Sequence, residues 1–228
     1  MIPAEKLKLE TAAGFPRDNF GWDRLPEPVL IDLDRLQAQL AANLFDPAAY
    51  LAPRELATFQ GFAYQKRKIE WLGGRLAAKQ AVLQLFGREP AAEAMREWVI
   101  NADPYGKPFF IPPGHKFRTS RRAAQLSFIP PGHKFRTSRQ AAQLSFNFRS
   151  GGAPCLSISH SQGLAAAMVS AQMECGLDIQ KVSAATVRVK EKFCLAAEEE
   201  IIASLDLPEP PSFGLTLLWA GKEALRKA

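Results

Sequence analysis

Three ionisable side chains set the chemistry open to this chain. Asp178 stands alone in the apolar run Gly176-Leu177-Asp178-Ile179, and Glu223 and Lys227 lie four residues apart further on. At helical spacing Trp219, Glu223 and Lys227 share one stripe. A lone carboxylate in an apolar run is costly unless it is paired or ligates a metal. Mg²⁺ takes one or two carboxylates and fills its octahedron with phosphate oxygens and water. Asp178 and Glu223 would supply that pair. Ahead of them Ser157-Ile158-Ser159-His160-Ser161 offers hydroxyls and an imidazole in a turn that could face a phosphate. Together these residues predict a magnesium-dependent phosphoryl-group transferase. Taken singly each has a plainer reading: Glu223–Lys227 as an i,i+4 ion pair, His160 as a core histidine.

Three further cations extend the pattern. Arg75 and Lys79, also i,i+4, follow Gly73-Gly74 and place two positive charges on one helix face. That pair is otherwise a solvated face, and the glycines either a helix junction or a close approach to a ligand. Lys107 sits between Gly106 and Pro108 in a turn, where its ammonium could be held towards a phosphate.

The elements that must position these residues follow from periodicity and breakers. Pro28–Ile31 is expected as a short strand and Asp32–Ala41 as a helix with Leu33, Leu36 and Leu40 on one face. Pro53 starts a helical region that runs to about Phe86, as one long or two stacked helices. Glu97–Ile100, Cys155–Ser159, Leu164–Ser170 and Gly176–Ile179 are expected strands. Arg188–Leu205 is expected to be helical, with Glu198-Glu199-Glu200 as a solvated face. Pro208–Pro211 breaks the chain before a last helix from about Phe213, whose Leu215, Leu218 and Leu225 are expected to pack on the sheet.

Composition narrows the setting. With 228 residues, 47% hydrophobic and 23% charged, the chain has the makeup of a globular protein with a substantial core. Cys155, Cys175 and Cys194 form no C-x-x-C pair and read as small buried hydrophobes of a reducing compartment. The first residues carry no apolar signal core, and no apolar run nears the ~20 residues that span a bilayer. A cytoplasmic location, with no membrane partner, is the expectation.

The net charge of +6 is local. Residues 110–145 hold seven Lys and Arg and no Asp or Glu, more than the whole excess. They form a tandem repeat, with Phe110–Ser127 copied as Phe128–Ser145 and only Arg122 changed, to Gln140. A duplicated surface loop is the plain reading, since closure entropy grows slowly with loop length. A basic module for nucleic acid or an acidic partner is the alternative.

In order along the chain, five pieces resemble the 4′-phosphopantetheinyl transferases of the surfactin-synthetase-activating type. They are Trp71-Leu72-Gly73-Gly74-Arg75-Leu76-Ala77-Ala78-Lys79, Gly106-Lys107-Pro108, Ser159-His160-Ser161, Gly176-Leu177-Asp178-Ile179, and W-x-x-K-E-A-x-x-K from Trp219 to Lys227. The resemblance implies a mixed α/β (α+β) fold with pseudo-twofold halves, 1–172 and 173–228. It also implies further strands after the last helix, so that the second half is incomplete at Ala228.

The implied reaction moves the phosphopantetheine arm of coenzyme A to a serine of an apo acyl or peptidyl carrier protein, with Mg²⁺, releasing 3′,5′-ADP. Such carriers serve fatty-acid, polyketide or peptide synthases. Carried over by residue, Asp178 and Glu223 hold Mg²⁺, with Gln180 where many relatives have Glu. Glu223 accepts the serine proton, and Lys227 stabilises the leaving ADP. Ser159, His160, Lys107, Arg75 and Lys79 face coenzyme A. A monomer is expected, and nucleic acid is not an expected partner. The alternatives are an inactive remnant that binds coenzyme A or carrier protein, and a basic interaction module built on residues 110–145.

Overall fold

Alanine lets a helix lie against the central sheet. The computed structural model describes residues 26–114, 154–171, 173–207, 210 and 212–228. Its three-stranded antiparallel sheet has the order β1 (Val29–Asp32), β5 (Leu164–Ser170), β4 (Cys155–Ser161). Middle strand β5 carries Ala165, Ala166 and Ala167, all fully buried. Helix α4 (Gln65–Leu85) crosses one face of this sheet. A strand lined with methyl groups leaves no bulk to hold the helix away.

Gly73 and Gly74 serve the same contact from the helix side. A Cβ at Gly73 would run into Leu33, and one at Gly74 would lie 3.1 Å from Ile158. They sit inside one continuous helix, so the helix-junction reading is corrected. What approaches their backbone is the protein's own core.

Asp32 ends β1 and caps α1 (Leu33–Ala41) by accepting the Arg35 N–H at 2.9 Å. After α2 (Pro47–Tyr50), α3 (Pro53–Gln60) starts at Pro53 as its ring favours. The expected long helical region is therefore two helices, α3 and α4. Helix α5 (Ala92–Glu97) leads into a hairpin, β2 (Val99–Ala102) with β3 (Pro108–Ile111). One core joins Ala77, Val82, Met95, Trp98, Leu156 and Val169, and a second gathers Leu33, Leu36, Phe59, Leu72 and Leu76.

Beyond β5 two expectations change. Gly176–Ile179 forms no strand, for a reason given below. The expected helix Arg188–Leu205 is α6 (Ala185–Arg188), a single 3₁₀ turn (Lys190–Lys192) and α7 (Ala196–Ser204). The break falls at Leu195, whose N–H is capped by Glu198 Oε2 at 2.8 Å. Last helix α8 (Ser212–Lys227) packs on α6 and α7 and reaches the sheet through Lys227 at its end, where the Nζ meets Ser159 of β4. Its buried face is Ser212, Leu215 and Thr216, and Leu225 is 79% exposed, which corrects the expected apolar stripe. Most of the duplicated segment lies outside the described residues, so neither reading of it is tested. Among the described residues no helix is long and apolar enough to cross a membrane.

Candidate active site

Alternation along β4 prepares the site. Leu156 and Ile158 join the core against α4, so Cys155, Ser157 and Ser159 point to the opposite face. There they receive the next part of the chain. Cys155 Sγ accepts the Cys175 N–H at 3.3 Å, Ser157 Oγ that of Leu177 at 2.9 Å, and Ser159 Oγ that of Ile179 at 3.2 Å. The offset is 20 residues each time, so 175–179 runs alongside β4 in the same direction. Its amides are satisfied by side chains rather than by a strand backbone. That is why the expected third strand is not one.

This ladder sets down Asp178 between two rungs. Its carboxylate is only 5% exposed. Oδ1 accepts from Ser159 Oγ at 2.9 Å and Lys227 Nζ at 2.6 Å, and Oδ2 from Gln180 Nε2 at 3.1 Å. Burial pushes the Asp178 pKa up, but the hydrogen bonds from Lys227, Ser159 and Gln180 outweigh it and hold the carboxyl below its ordinary range. Lys227 Nζ also donates to Leu177 O at 3.2 Å and Ser159 Oγ at 3.3 Å, so its three protons face three acceptors.

Glu223 lies one turn before Lys227, about 6 Å along the helix axis. It pairs with Arg226 at 2.6 Å, so the plain Glu223–Lys227 ion pair is not what forms. Lys222 anchors the same helix to Phe193 O at 2.6 Å and to Glu198 at 2.7 Å. Glu199 pairs with Lys190, as befits a solvated acidic face. Among the described residues no three His, Cys, Asp or Glu converge as a metal cluster. Asp178 and Glu223 are nevertheless hard oxygen donors of the kind Mg²⁺ takes, one or two at a time with phosphates completing the shell. Gln180 spends its amide N–H on Asp178, which leaves its carbonyl oxygen as a neutral donor.

The remaining candidates are dispersed. Ser159 and His160 lie on a strand, not in a turn, so they face opposite sides of the sheet. His160 is exposed on the α4 side, with Nδ1 3.9 Å from Glu70 Oε1. The turn comes next, at Gln162-Gly163, where both residues take positive φ as a tight hairpin requires. An open cleft beside it is lined by Ser161, Gln162, Leu164, Ile179, Gln180 and Lys181.

Lys79 does not face a ligand. It is fully buried and bonded to Glu55 Oε2 and the Tyr50 carbonyl, while Glu55 Oε1 accepts the Ile100 N–H at 2.9 Å. That correction has a plain cause: the face Lys79 shares with Arg75 is turned inward, and Glu55 of α3 waits there. Arg75 stacks over Trp71 at 4.9 Å, and its buried Nε finds no partner among the described residues. Burial lowers its pKa, against the attraction of Glu55.

Lys107 leaves a turn held by Asp103, whose Oδ1 accepts from Tyr105 N and Lys107 N. Its ammonium reaches Glu174 at 3.1 Å and Ala228 O, at the end of α8, at 2.6 Å. Sequence reasoning missed Glu55, Ser157, Glu174 and Arg226. For Ser157 a signal existed, the alternation C-x-S-x-S on one strand, and for Arg226 its i,i+3 spacing from Glu223; for Glu55 and Glu174 there was none.

No family model matches this chain. It is 35% identical over 81 residues to the holo-(acyl-carrier-protein) synthase of Lactococcus lactis subsp. lactis, covering 35% of this chain and 68% of that protein. The namesake of Lactococcus lactis subsp. cremoris is 33% identical over the same share. Among solved structures, a Bacillus anthracis holo-(acyl-carrier-protein) synthase in complex with CoA (3′,5′-ADP) matches at TM-score 0.41 and 21% identity. That match covers 64% of this chain and 93% of the other. A Plasmodium yoelii holo-ACP-synthase matches at TM-score 0.38 and 21% identity, over 65% and 96%.

Proposed function

Because this chain belongs to the phosphopantetheinyl transferase superfamily, with the holo-(acyl-carrier-protein) synthases, we propose that Asp178, Glu223 and Lys227 are its reaction centre. The substrates in this reading are coenzyme A and the serine of an apo carrier protein. The observation that carries it is the Ser159–Asp178–Lys227 cluster, a buried carboxylate locked to an ammonium where three parts of the chain meet.

The serine oxygen attacks the phosphorus that bears the pantetheine arm. A new P–O bond forms, the pyrophosphate P–O bond breaks, and 3′,5′-ADP leaves with the electron pair. Such a transfer needs positioning and charge neutralisation more than covalent help. Glu223 takes the serine proton, directly or through a water. Arg226 keeps its carboxylate aligned meanwhile. Lys227, aimed by Asp178, Leu177 O and Ser159, stabilises the leaving phosphate. Asp178 and Glu223, with Gln180 beside them, would hold Mg²⁺, which when bound supplies further neutralisation on the pyrophosphate. Lys107 and Arg75 are the cations left to face the nucleotide. Lys79 has no part.

The surfactin-synthetase-activating type within the superfamily, and the halves 1–172 and 173–228, belong to the same reading. What supports both is the W-x-x-K-E-A stretch on α8, and the way 175–179 and α8 together close over β4. The test is mass spectrometry of a purified apo carrier protein incubated with this chain, coenzyme A and Mg²⁺. A gain of one phosphopantetheine arm, lost in Asp178→Ala and on chelation of the metal, is expected. No gain at any enzyme concentration would shift the reading to a binding remnant.

A further inference from the structure

The proposed chemistry leaves two buried thiols unused, and they face each other. Cys155 Sγ accepts the Cys175 N–H at 3.3 Å and contacts the Cys175 carbonyl at 3.4 Å, while the Cys175 thiol donates to the Cys155 carbonyl at 3.3 Å. Both are reduced. The charged groups around them are Lys107, and Glu174, whose Oε2 lies 3.5 Å from Cys155 Sγ. Read from the sequence, 20 residues apart, the two look like unrelated core residues.

We propose that Cys155 and Cys175 are an oxidation-sensitive dithiol, and that their disulfide unseats the Asp178 segment from α8. The roles of the two sulfurs differ. The hydrogen bond from Cys175, aided by Lys107 and opposed by burial and Glu174, holds the Cys155 thiol at about 7. The same contact, with burial, pushes Cys175 up. Cys155, whose sulfur already accepts the Cys175 N–H, is the nucleophile and Cys175 the resolving thiol. Exposures of 9% and 5% admit only a small oxidant, of the hydroperoxide class.

The Cys155 thiolate attacks one oxygen of hydrogen peroxide, breaks the O–O bond and becomes a sulfenic acid as hydroxide leaves. The Cys175 sulfur then attacks that sulfur. The S–S bond forms, the S–O bond breaks, and the hydroxyl departs as water with the Cys175 proton. Two thiols and one peroxide give one disulfide and two waters.

The coupling to the site is steric. Gly176 follows Cys175, and a Cβ there would run into the Ala224 carbonyl of α8, so the segment is seated on the helix with no slack. Drawing Cys175 onto Cys155 shifts Gly176 out of its fit against α8, and Asp178 is two residues further along.

In the experiment the full reduced chain is treated with hydrogen peroxide and digested without reductant, and the peptides are mapped by mass. Amide hydrogen exchange of 176–180 and of the end of α8 is followed in parallel. The expected result is a Cys155–Cys175 linked peptide, absent in Cys175→Ser. Faster exchange at Leu177 and Ile179, reversed by dithiothreitol, should accompany it. Cys175→Ala serves should the serine variant fail to fold. No linked peptide overturns the dithiol, and a linked peptide with unchanged exchange overturns the coupling. The effect on transfer rests on the proposed function: turnover should fall about 10²-fold, the scale of an ångström of misplacement. A reduced chain that transfers nothing would sink that function alone, since the peptide and the exchange are read without it.

Discussion

Asp178 Oδ1 and Lys227 Nζ stand 2.6 Å apart, and Ser159 Oγ lies within hydrogen-bonding distance of both. Three separate elements meet in that contact: a strand of the sheet, the segment laid along it, and the last turn of α8. A buried pair of this kind is weak evidence for stability as such, because desolvating two charges offsets much of their attraction. Its value lies in orientation. The ammonium is pointed by three acceptors and the carboxylate by three donors, so neither has a second low-energy place to go.

Asp178→Asn keeps the shape and removes the charge. Lys227 then faces a neutral amide, and the proposed transfer loses a metal ligand and the group that aims its cation. Turnover onto apo carrier protein is expected to fall by about 10²–10³-fold. A carrier-loading assay that finds the Asn variant within a few-fold of the parent would remove Asp178 from the centre.

Lys79 makes the opposite case. The family resemblance implies that it faces coenzyme A, yet it is fully buried against Glu55. Lys79→Met strands the Glu55 carboxylate in the core and is expected to cost about 3–5 kcal/mol of stability. Denaturant titration measures that loss. The KM for coenzyme A of whatever folds should stay put, whereas a ligand-facing lysine would raise it.

Lys79 also shows what could be read in the chain and what could not. Periodicity and chain breakers located α1, β5 and α8 closely and placed α4 within the helical region that begins at Pro53. They could not say which face of α4 turns inward, since Glu55 approaches from another helix with no mark in the local pattern. Gly176–Ile179 looked like a strand because its apolar spacing is that of one. Its partner is a row of side chains on β4, and side-chain acceptors leave no trace in the spacing of the segment they hold. At the site, Asp178 was legible as a lone acid in an apolar run. Its contact with Lys227, 49 residues away, is tertiary. Ser159 and His160 were misread together: neighbours on a strand part to opposite faces once the turn is placed two residues later.

Ser157 tests the ladder itself. It is 1% exposed, and its Oγ accepts the Leu177 N–H, the middle rung between Cys155 and Ser159. Ser157→Ala leaves that buried amide without an acceptor and is expected to cost about 1–3 kcal/mol. Because Asp178 follows Leu177, turnover should fall while the KM for coenzyme A changes little. A stability loss with intact turnover would mean that the segment holds its place without the rung.

The paired thiols give a pH signature with a definite sign. In the unfolded chain both titrate near the ordinary thiol value of 9.0, whereas in the native protein Cys155 loses its proton at about 7 and Cys175 keeps its own to higher pH. Between about pH 7 and pH 9 the unfolded state therefore binds one proton more than the native state, and stability rises with pH there. Above that range the unfolded state has shed both protons while the native state holds one, and stability falls. The pair's contribution thus peaks near the ordinary thiol value. Urea titrations under reducing conditions across this range should show the maximum, and Cys155→Ser should flatten it. Because Lys107 is among the groups that hold the Cys155 thiolate down, Lys107→Met should move the rising limb to higher pH. A rising limb that stays in place would take Lys107 out of the thiol's environment and leave the Cys175 hydrogen bond as its main support.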